Sequence, residues 1–140
     1  NPKNEKGKIT LIIRMVAENI EKLYPPILKK ITNSKLNILW SCDPMHANTE
    51  KAKSGFKTRI FKNILSEVKS FFKIHNIFGT YAGGIHLEMT GQHVTECTGG
   101  AYEIGDEDLA QAYKTQCDPR LNADQVLEMA FLVADHLRHA

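Results

Sequence analysis

The stretch Lys8 to Arg14 reads KITLIIR, and Lys35 to Trp40 reads KLNILW; both are β-branched or leucine-rich runs with almost no polar interruption. Such runs are expected of strands buried on both faces, as in a parallel sheet. Arg14 closes the first. The second runs straight into Ser41-Cys42-Asp43-Pro44, where a proline without an N–H stops sheet pairing. Between them Ala17 to Thr32 has Ile20, Leu23, Ile27, Leu28 and Ile31 at helical spacing, with Pro25 and Pro26 expected to break the helix or start a new segment.

Further on, Cys42 to Thr58 has no apolar period, and it is longer than the usual connection of roughly 4–6 residues, a length that marks functional or disordered loops. It carries Asp43, His46 and Lys57. Ile60 to His75 is an amphipathic helix, with Phe61, Ile64, Leu65, Val68, Phe71 and Phe72 on one face and Lys62, Glu67 and Lys69 on the other. Gly83-Gly84 is expected to turn the chain before a short strand at Ile85 to Met89, followed by a Gly, Thr and Cys-rich loop and a short helix over Asp106 to Tyr113. Asn122 opens the last helix with Gln125 three residues on, a capping-box pattern, and Val126, Leu127, Ala130, Phe131, Ala134 and Leu137 form its stripe. The alternation of strand and helix, three times over, predicts an α/β chain of right-handed βα units on a parallel sheet. A closed barrel of eight such units takes about 250 residues, so barrel sequence of this length is part of one, with two open edges.

The 140 residues are 42% hydrophobic and 24% charged, the make-up of an ordinary globular domain rather than a disordered tail. Eighteen Lys and Arg against 16 Asp and Glu leave +2, which gives no field for steering a polyanion, and no nucleic-acid partner is expected. No apolar run approaches the roughly 20 residues of a membrane span, so no membrane role is expected. Arg14 and Glu18 interrupt any signal-peptide core, and Cys42, Cys97 and Cys117 form neither a disulfide framework nor a zinc spacing. A reducing, cytoplasmic location fits. Asn1 stands where Met would begin a chain, only a few residues ahead of a strong strand, as expected of a fragment.

Ligands bind at the carboxyl ends of strands in parallel sheets, which singles out Arg14, the Cys42 to His46 run, Glu88 and, on the loop before the last helix, Asp118. His46, Glu88 and Asp118 make a mixed nitrogen and oxygen set suited to Mn, Fe, Co or Zn; a loop histidine and two solvated acids is the plainer reading. The fork of Arg14 suits a phosphate or carboxylate, and an ion pair to a neighbouring strand's acid is the alternative. Cys42 and Cys97 have no base partner at motif spacing. Gly83-Gly84 and Gly99-Gly100 read as turns, and neither forms a phosphate loop. Lys51, Lys53, Lys57 and Arg59 read as a solvated basic loop.

Five stretches carry a resemblance: WSCDPMHANT (Trp40 to Thr49), SGFKTR (Ser54 to Arg59), GGIHLEMTGQHVTEC (Gly83 to Cys97), GGAYEI (Gly99 to Ile104) and CDPRLNADQ (Cys117 to Gln125). Together they resemble the C-terminal part of the class II, plant-type 3-deoxy-D-arabino-heptulosonate 7-phosphate (DAHP) synthases. The likeness runs from about residue 8 to 138. It implies the last three βα units of a (β/α)8 TIM barrel, one partial domain over residues 1–140. The implied activity joins phosphoenolpyruvate, erythrose 4-phosphate and water to give DAHP and phosphate, the first step of the shikimate route to chorismate and the aromatic amino acids.

By the same resemblance, His46 in DPMH, Glu88 in HLEMTG and Asp118 in CDPRLN match metal ligands for Mn, Co, Zn or Fe, and Arg14 matches an arginine that holds phosphoenolpyruvate. Lys57 in FKTR is a further candidate for the substrate site and for catalysis, while Asp118 and Glu88 have possible second roles as proton acceptors. The family's fourth ligand, a cysteine, and most of its basic cluster lie in an N-terminal half that these residues do not include. That half is the implied partner, in a homo-oligomer when complete; plant members reside in plastids. Alone, the chain is expected to be inactive, and a non-catalytic remnant or interaction module is the rival reading. Val16 and Ala47 stand where family sequences usually have Gly, and Ala82 where they have Pro.

Overall fold

A computed structural model describes residues 1–138 of the chain. Its strands and α-helices run in the order β1 (Thr10–Ile13), α1 (Ile20–Asn33), β2 (Leu39–Cys42), β3 (Thr49–Lys51), β4 (Lys57–Arg59), α2 (Phe61–Phe78), β5 (Ala82–Ile85) and α3 (Ala123–Arg138). Strands β1, β2 and β5 form a parallel sheet in the order β1-β2-β5, so β2 is central and both outer strands have one neighbour each. The chain is therefore a mixed α/β structure on a parallel sheet.

Leu11 and Ile13 of β1 stand beside Trp40 and Cys42 of β2 in the register, and this face packs under α1 and α2. The core there contains Ile20, Tyr24 and Leu28 of α1 with Ile64, Val68, Phe71 and Phe72 of α2. The other sheet face is different: Ile12 is 53% exposed and Leu39 is also exposed. The expectation of strands buried on both faces thus holds for one face only among the described residues.

Several local expectations are corrected. First, α1 runs unbroken through Pro25 and Pro26. Both prolines lie on a stretch where Glu21, Lys22 and Leu23 are exposed, so the carbonyls that lose an N–H partner face solvent, while Ile20, Tyr24 and Leu28 anchor the other side. Second, the third sheet strand is Ala82–Ile85 and not Ile85 to Met89. Gly83 is part of that strand rather than a turn, because a Cβ there would lie 2.4 Å from Leu39 Cδ1 and 2.7 Å from the Trp40 carbonyl. The register shift opposite Trp40 and Ser41 places it against β2. Third, the presumed loop after Cys42 contains a 3-10 turn (His46–Asn48) and the antiparallel hairpin β3-β4.

The second strand also starts later than its apolar run. Asn4 takes the bonding groups of Asn37, accepting from its N–H at 2.7 Å, so sheet pairing begins at Leu39. The last helix is capped as its sequence predicts, with Asn122 N–H donating to Gln125 Oε1 and Gln125 N–H to Asn122 Oδ1, but of its expected stripe Leu127, Ala130, Phe131, Ala134 and Leu137 are exposed, and Met129, Leu132 and Val133 pack on the core instead. The segment expected as a helix over Asp106 to Tyr113 is a 3-10 turn at Asp106–Gln111. Gly99 and Gly100 do turn the chain, at φ of 86° and 85°.

Candidate metal and anion site

Four segments meet beyond the carboxyl ends of the parallel strands. Arg14 follows β1, Asp43 and His46 follow β2, and Glu88 follows β5. Asp118 arrives on the loop before α3, fixed because Leu121 N–H donates to the Glu88 carbonyl at 3.0 Å and Thr90 N–H donates to the Leu121 carbonyl at 2.9 Å. His46 Nε2 lies 3.4 Å from Glu88 Oε1 and 3.9 Å from Asp118 Oδ2. The three sequence-predicted ligands are thus brought together, with donor atoms within 4.8 Å of one another.

Each carboxylate divides its two oxygens. Glu88 Oε2 pairs with Arg59 Nη1 and Asp118 Oδ1 pairs with Lys57 Nζ, so the oxygens left over are those that face His46. Lys57 holds the Asp118 carboxyl below its usual range, and the Lys57 ammonium is raised in turn. An ion bound at about 2.0–2.2 Å by such donors needs them roughly 3–4 Å apart, so the trio fits a divalent cation in donor type and spacing.

Arg59 overturns the reading of a solvated basic loop. Lys51, Lys53 and Lys57 are exposed, but Arg59 has no exposed surface. Its Nε donates to Thr49 Oγ1 at 2.8 Å and its Nη1 donates to the Pro119 carbonyl at 2.6 Å, next to Asp118. No local signal separates the two, since β4 places Arg59 and Lys57 on the same face and only Arg59 is covered, by segments from elsewhere in the chain.

Arg14 pairs with Asp43, at 2.7 Å from Nη2 and 2.8 Å from Nε to the same Oδ2. The ion-pair alternative is therefore realised, yet the Arg14 side chain remains 50% exposed and free to meet a ligand on its open side. Burial alone would raise the Asp43 carboxyl, but hydrogen bonds from the His46 and Met45 backbones and from the His46 ring outweigh it and hold the group below its usual range.

Two further acids, neither singled out in the sequence, hold the frame. Glu67 was expected on the polar face of α2, but it is fully buried. Its carboxylate accepts from Met15 N–H at 2.9 Å and from Asn48 Nδ2 at 2.6 Å, joining the turns that carry Arg14 and His46. Burial raises its carboxyl, with the Met15 and Asn48 bonds opposing. Glu96 is buried too, and it accepts from the N–H groups of Lys114, Thr115 and Arg120 and from the Arg120 side chain, which shapes the loop carrying Asp118.

The cysteines stay outside the chemistry. Cys42 and Cys97 are buried and Cys117 is exposed, all as free thiols. Burial pushes the Cys97 thiol up to about 12 and Cys42 up as well, which suits core packing and not nucleophilic attack. Among the described residues no helix is long and apolar enough to cross a membrane.

The sequence is similar to two bacterial proteins. One is the phospho-2-dehydro-3-deoxyheptonate aldolase AroG of Mycolicibacterium smegmatis, 51% identical over 138 residues that make up 99% of this chain and 30% of the relative. The other is the phospho-2-dehydro-3-deoxyheptonate aldolase of Streptomyces coelicolor, also 51% identical over 138 residues, 99% of this chain and 31% of the relative. The chain thus spans about 30% of the length of the relatives it matches. A sequence model described as the class-II DAHP synthetase family matches residues 1–134. With nearly the whole chain matched, this protein belongs to the class-II DAHP synthetase family.

Proposed function

We propose that the chain forms the C-terminal part of a DAHP synthase, acting with the remaining portion that its relatives carry. The observation that carries this reading is the convergence of His46, Glu88 and Asp118 beside Arg14, in a member of this family. The exposed sheet face and the two single-neighbour edges support a barrel that further strands would close, with residues 1–140 as one segment of it.

In this reading His46 Nε2, Glu88 Oε1 and Asp118 Oδ2 hold a divalent cation, Mn, Co, Zn or Fe by donor type. Lewis-acid polarisation of the erythrose 4-phosphate aldehyde is the chemistry such a cation supplies. Arg14 holds the phosphate or carboxylate of phosphoenolpyruvate so that C3 meets the aldehyde carbon. Water adds at C2 and phosphate leaves. Glu88 or Asp118 takes a proton from that water, and Lys57, exposed and cationic beside Asp118, binds a substrate phosphate.

Charge supports the assignment. Arg14, Lys57 and Arg59 balance Asp43, Glu88 and Asp118, so a divalent cation makes the site net positive and receptive to two phosphorylated substrates. Both relatives are bacterial, and the plastid alternative gains no support from them.

The test is metal-dependent consumption of phosphoenolpyruvate in the presence of erythrose 4-phosphate, for the chain alone and mixed with the N-terminal portion of a relative. Activity in the mixture, lost on chelation, is expected. A stable but inactive mixture at every metal tried would instead favour the interaction-module reading.

A further inference from the structure

Asp43 has no exposed surface, and all its hydrogen-bonding capacity is directed. Oδ1 accepts from the N–H groups of Met45 at 3.0 Å and His46 at 3.2 Å, the Asx-turn arrangement that an Asp-Pro start favours. Oδ2 accepts from Arg14 Nε at 2.8 Å and faces His46 Nδ1 at 2.7 Å. Two backbone groups and a guanidinium thus prevent the carboxylate from turning.

An ionised carboxylate can only accept, so the proton in the contact with His46 belongs to Nδ1. The lone pair of the neutral ring then lies on Nε2, the atom nearest Glu88 Oε1 and Asp118 Oδ2. His86 stacks against the same ring, centroids 6.1 Å apart and planes 25° from parallel, and steadies its tilt. Asp43, His46 and His86 could be taken for a second cation site, since their donor atoms also lie within 4.8 Å. Asp43 has both oxygens committed elsewhere, so the trio supports His46 and does not compete with it.

We propose that Asp43 is a positioning residue that selects the His46 tautomer with Nε2 free and aims it at Glu88 and Asp118. The inference rests on the metal reading of His46 given above. It adds that the cation site depends on an acid that touches neither the cation nor substrate. Such outer partners of ligating histidines typically change metal affinity 10- to 100-fold when lost.

Asp43→Asn is the informative variant, being nearly isosteric. Its amide keeps one acceptor oxygen where the carboxylate had two, so it cannot serve both Arg14 with His46 Nδ1–H on one side and the Met45 and His46 N–H groups on the other, and the hold on the ring is lost in either orientation. The measurement combines long-range proton–nitrogen NMR of the His46 ring in the cation-free, full 140-residue chain, assigned with His46→Gln, and Co(II) titration read by visible absorption. The expected result is an Nδ1–H neutral tautomer in the unaltered chain and Co(II) affinity at least about 10-fold weaker in Asp43→Asn.

The proposal is overturned if the unaltered chain shows neutral His46 protonated on Nε2, a result that needs no folded variant. It is equally overturned if Asp43→Asn keeps both tautomer and affinity. If Co(II) binds neither protein, or binds His46→Gln as well as the unaltered chain, the metal reading fails. The tautomer then decides alone whether Asp43 orients the ring.

Discussion

Arg59 and Glu88 form a pair in which the cation is completely buried and the carboxylate is 27% exposed, and it leaves Glu88 Oε1 3.4 Å from His46 Nε2. The guanidinium also binds the Pro119 carbonyl, so one side chain joins the Glu88 and Asp118 segments to the β3-β4 hairpin. Removing it unpairs Glu88 Oε2, the Pro119 carbonyl and Thr49 together. Arg59→Met is expected to cost about 3 kcal/mol, measured by urea unfolding. An effect under about 0.5 kcal/mol would show that the clamp contributes little.

Val16 has φ of 69°, the left-handed region, immediately after the Arg14 segment. A β-branched residue there costs on the order of 1–2 kcal/mol, which glycine avoids while gaining freedom in the unfolded chain. Val16→Gly is therefore expected to stabilise by about 0.5–1 kcal/mol, seen as a higher urea midpoint at unchanged slope. Ala47 differs, because it sits inside the 3-10 turn without a positive φ and gives no such gain.

His75 lies buried in the core, with Nε2 at 2.8 Å from the Tyr24 hydroxyl and Nδ1 at 2.7 Å from Thr80 Oγ1. Burial depresses its pKa from 6.5 to about 4. Between those values the unfolded ring binds a proton and the folded ring does not, so stability is complete above pH 6.5 and falls as pH drops toward 4. The loss from this residue is about 3 kcal/mol. Thermal unfolding from pH 7.5 to 4 should show it, and His75→Gln should be less stable at pH 7.5 but flatter across the same window.

Asn122 is nearly buried at the start of α3, and its Nδ2 donates to the Val94 carbonyl at 3.0 Å in addition to the reciprocal cap with Gln125. Asn122→Ala should destabilise by about 2 kcal/mol, from a lost cap and an unpaired buried carbonyl. Hydrogen exchange should then be fastest in the first turn of α3; unchanged protection there would contradict the role given to the cap.

What could be read from the sequence follows physical range. The α2 stripe and the Asn122-Gln125 cap are local patterns, and both appear where the spacing put them. His46, Glu88 and Asp118 follow from strand ends and the family resemblance, and the fold brings them together. Glu67 and Arg59 were placed on solvated surfaces because periodicity weighs charge against burial and cannot see Met15, Asn48, Glu88 or Pro119 arriving from distant segments. Gly83 misled for a similar reason: glycine usually marks a turn, but here Leu39 and the Trp40 carbonyl require its missing side chain. The single exposed sheet face was hidden because Ile12 and Leu39 read as core residues when no strand across from them is in view.

If His46, Glu88 and Asp118 hold one divalent cation, as proposed, isothermal titration of the chain with Mn(II) reads it as a single saturable site. That binding is expected to be lost in His46→Ala and weakened at least about 10-fold in Glu88→Gln and Asp118→Asn, with the folded state retained by circular dichroism. Saturable binding that survives all three substitutions, or no binding by the folded, unaltered chain, would contradict it.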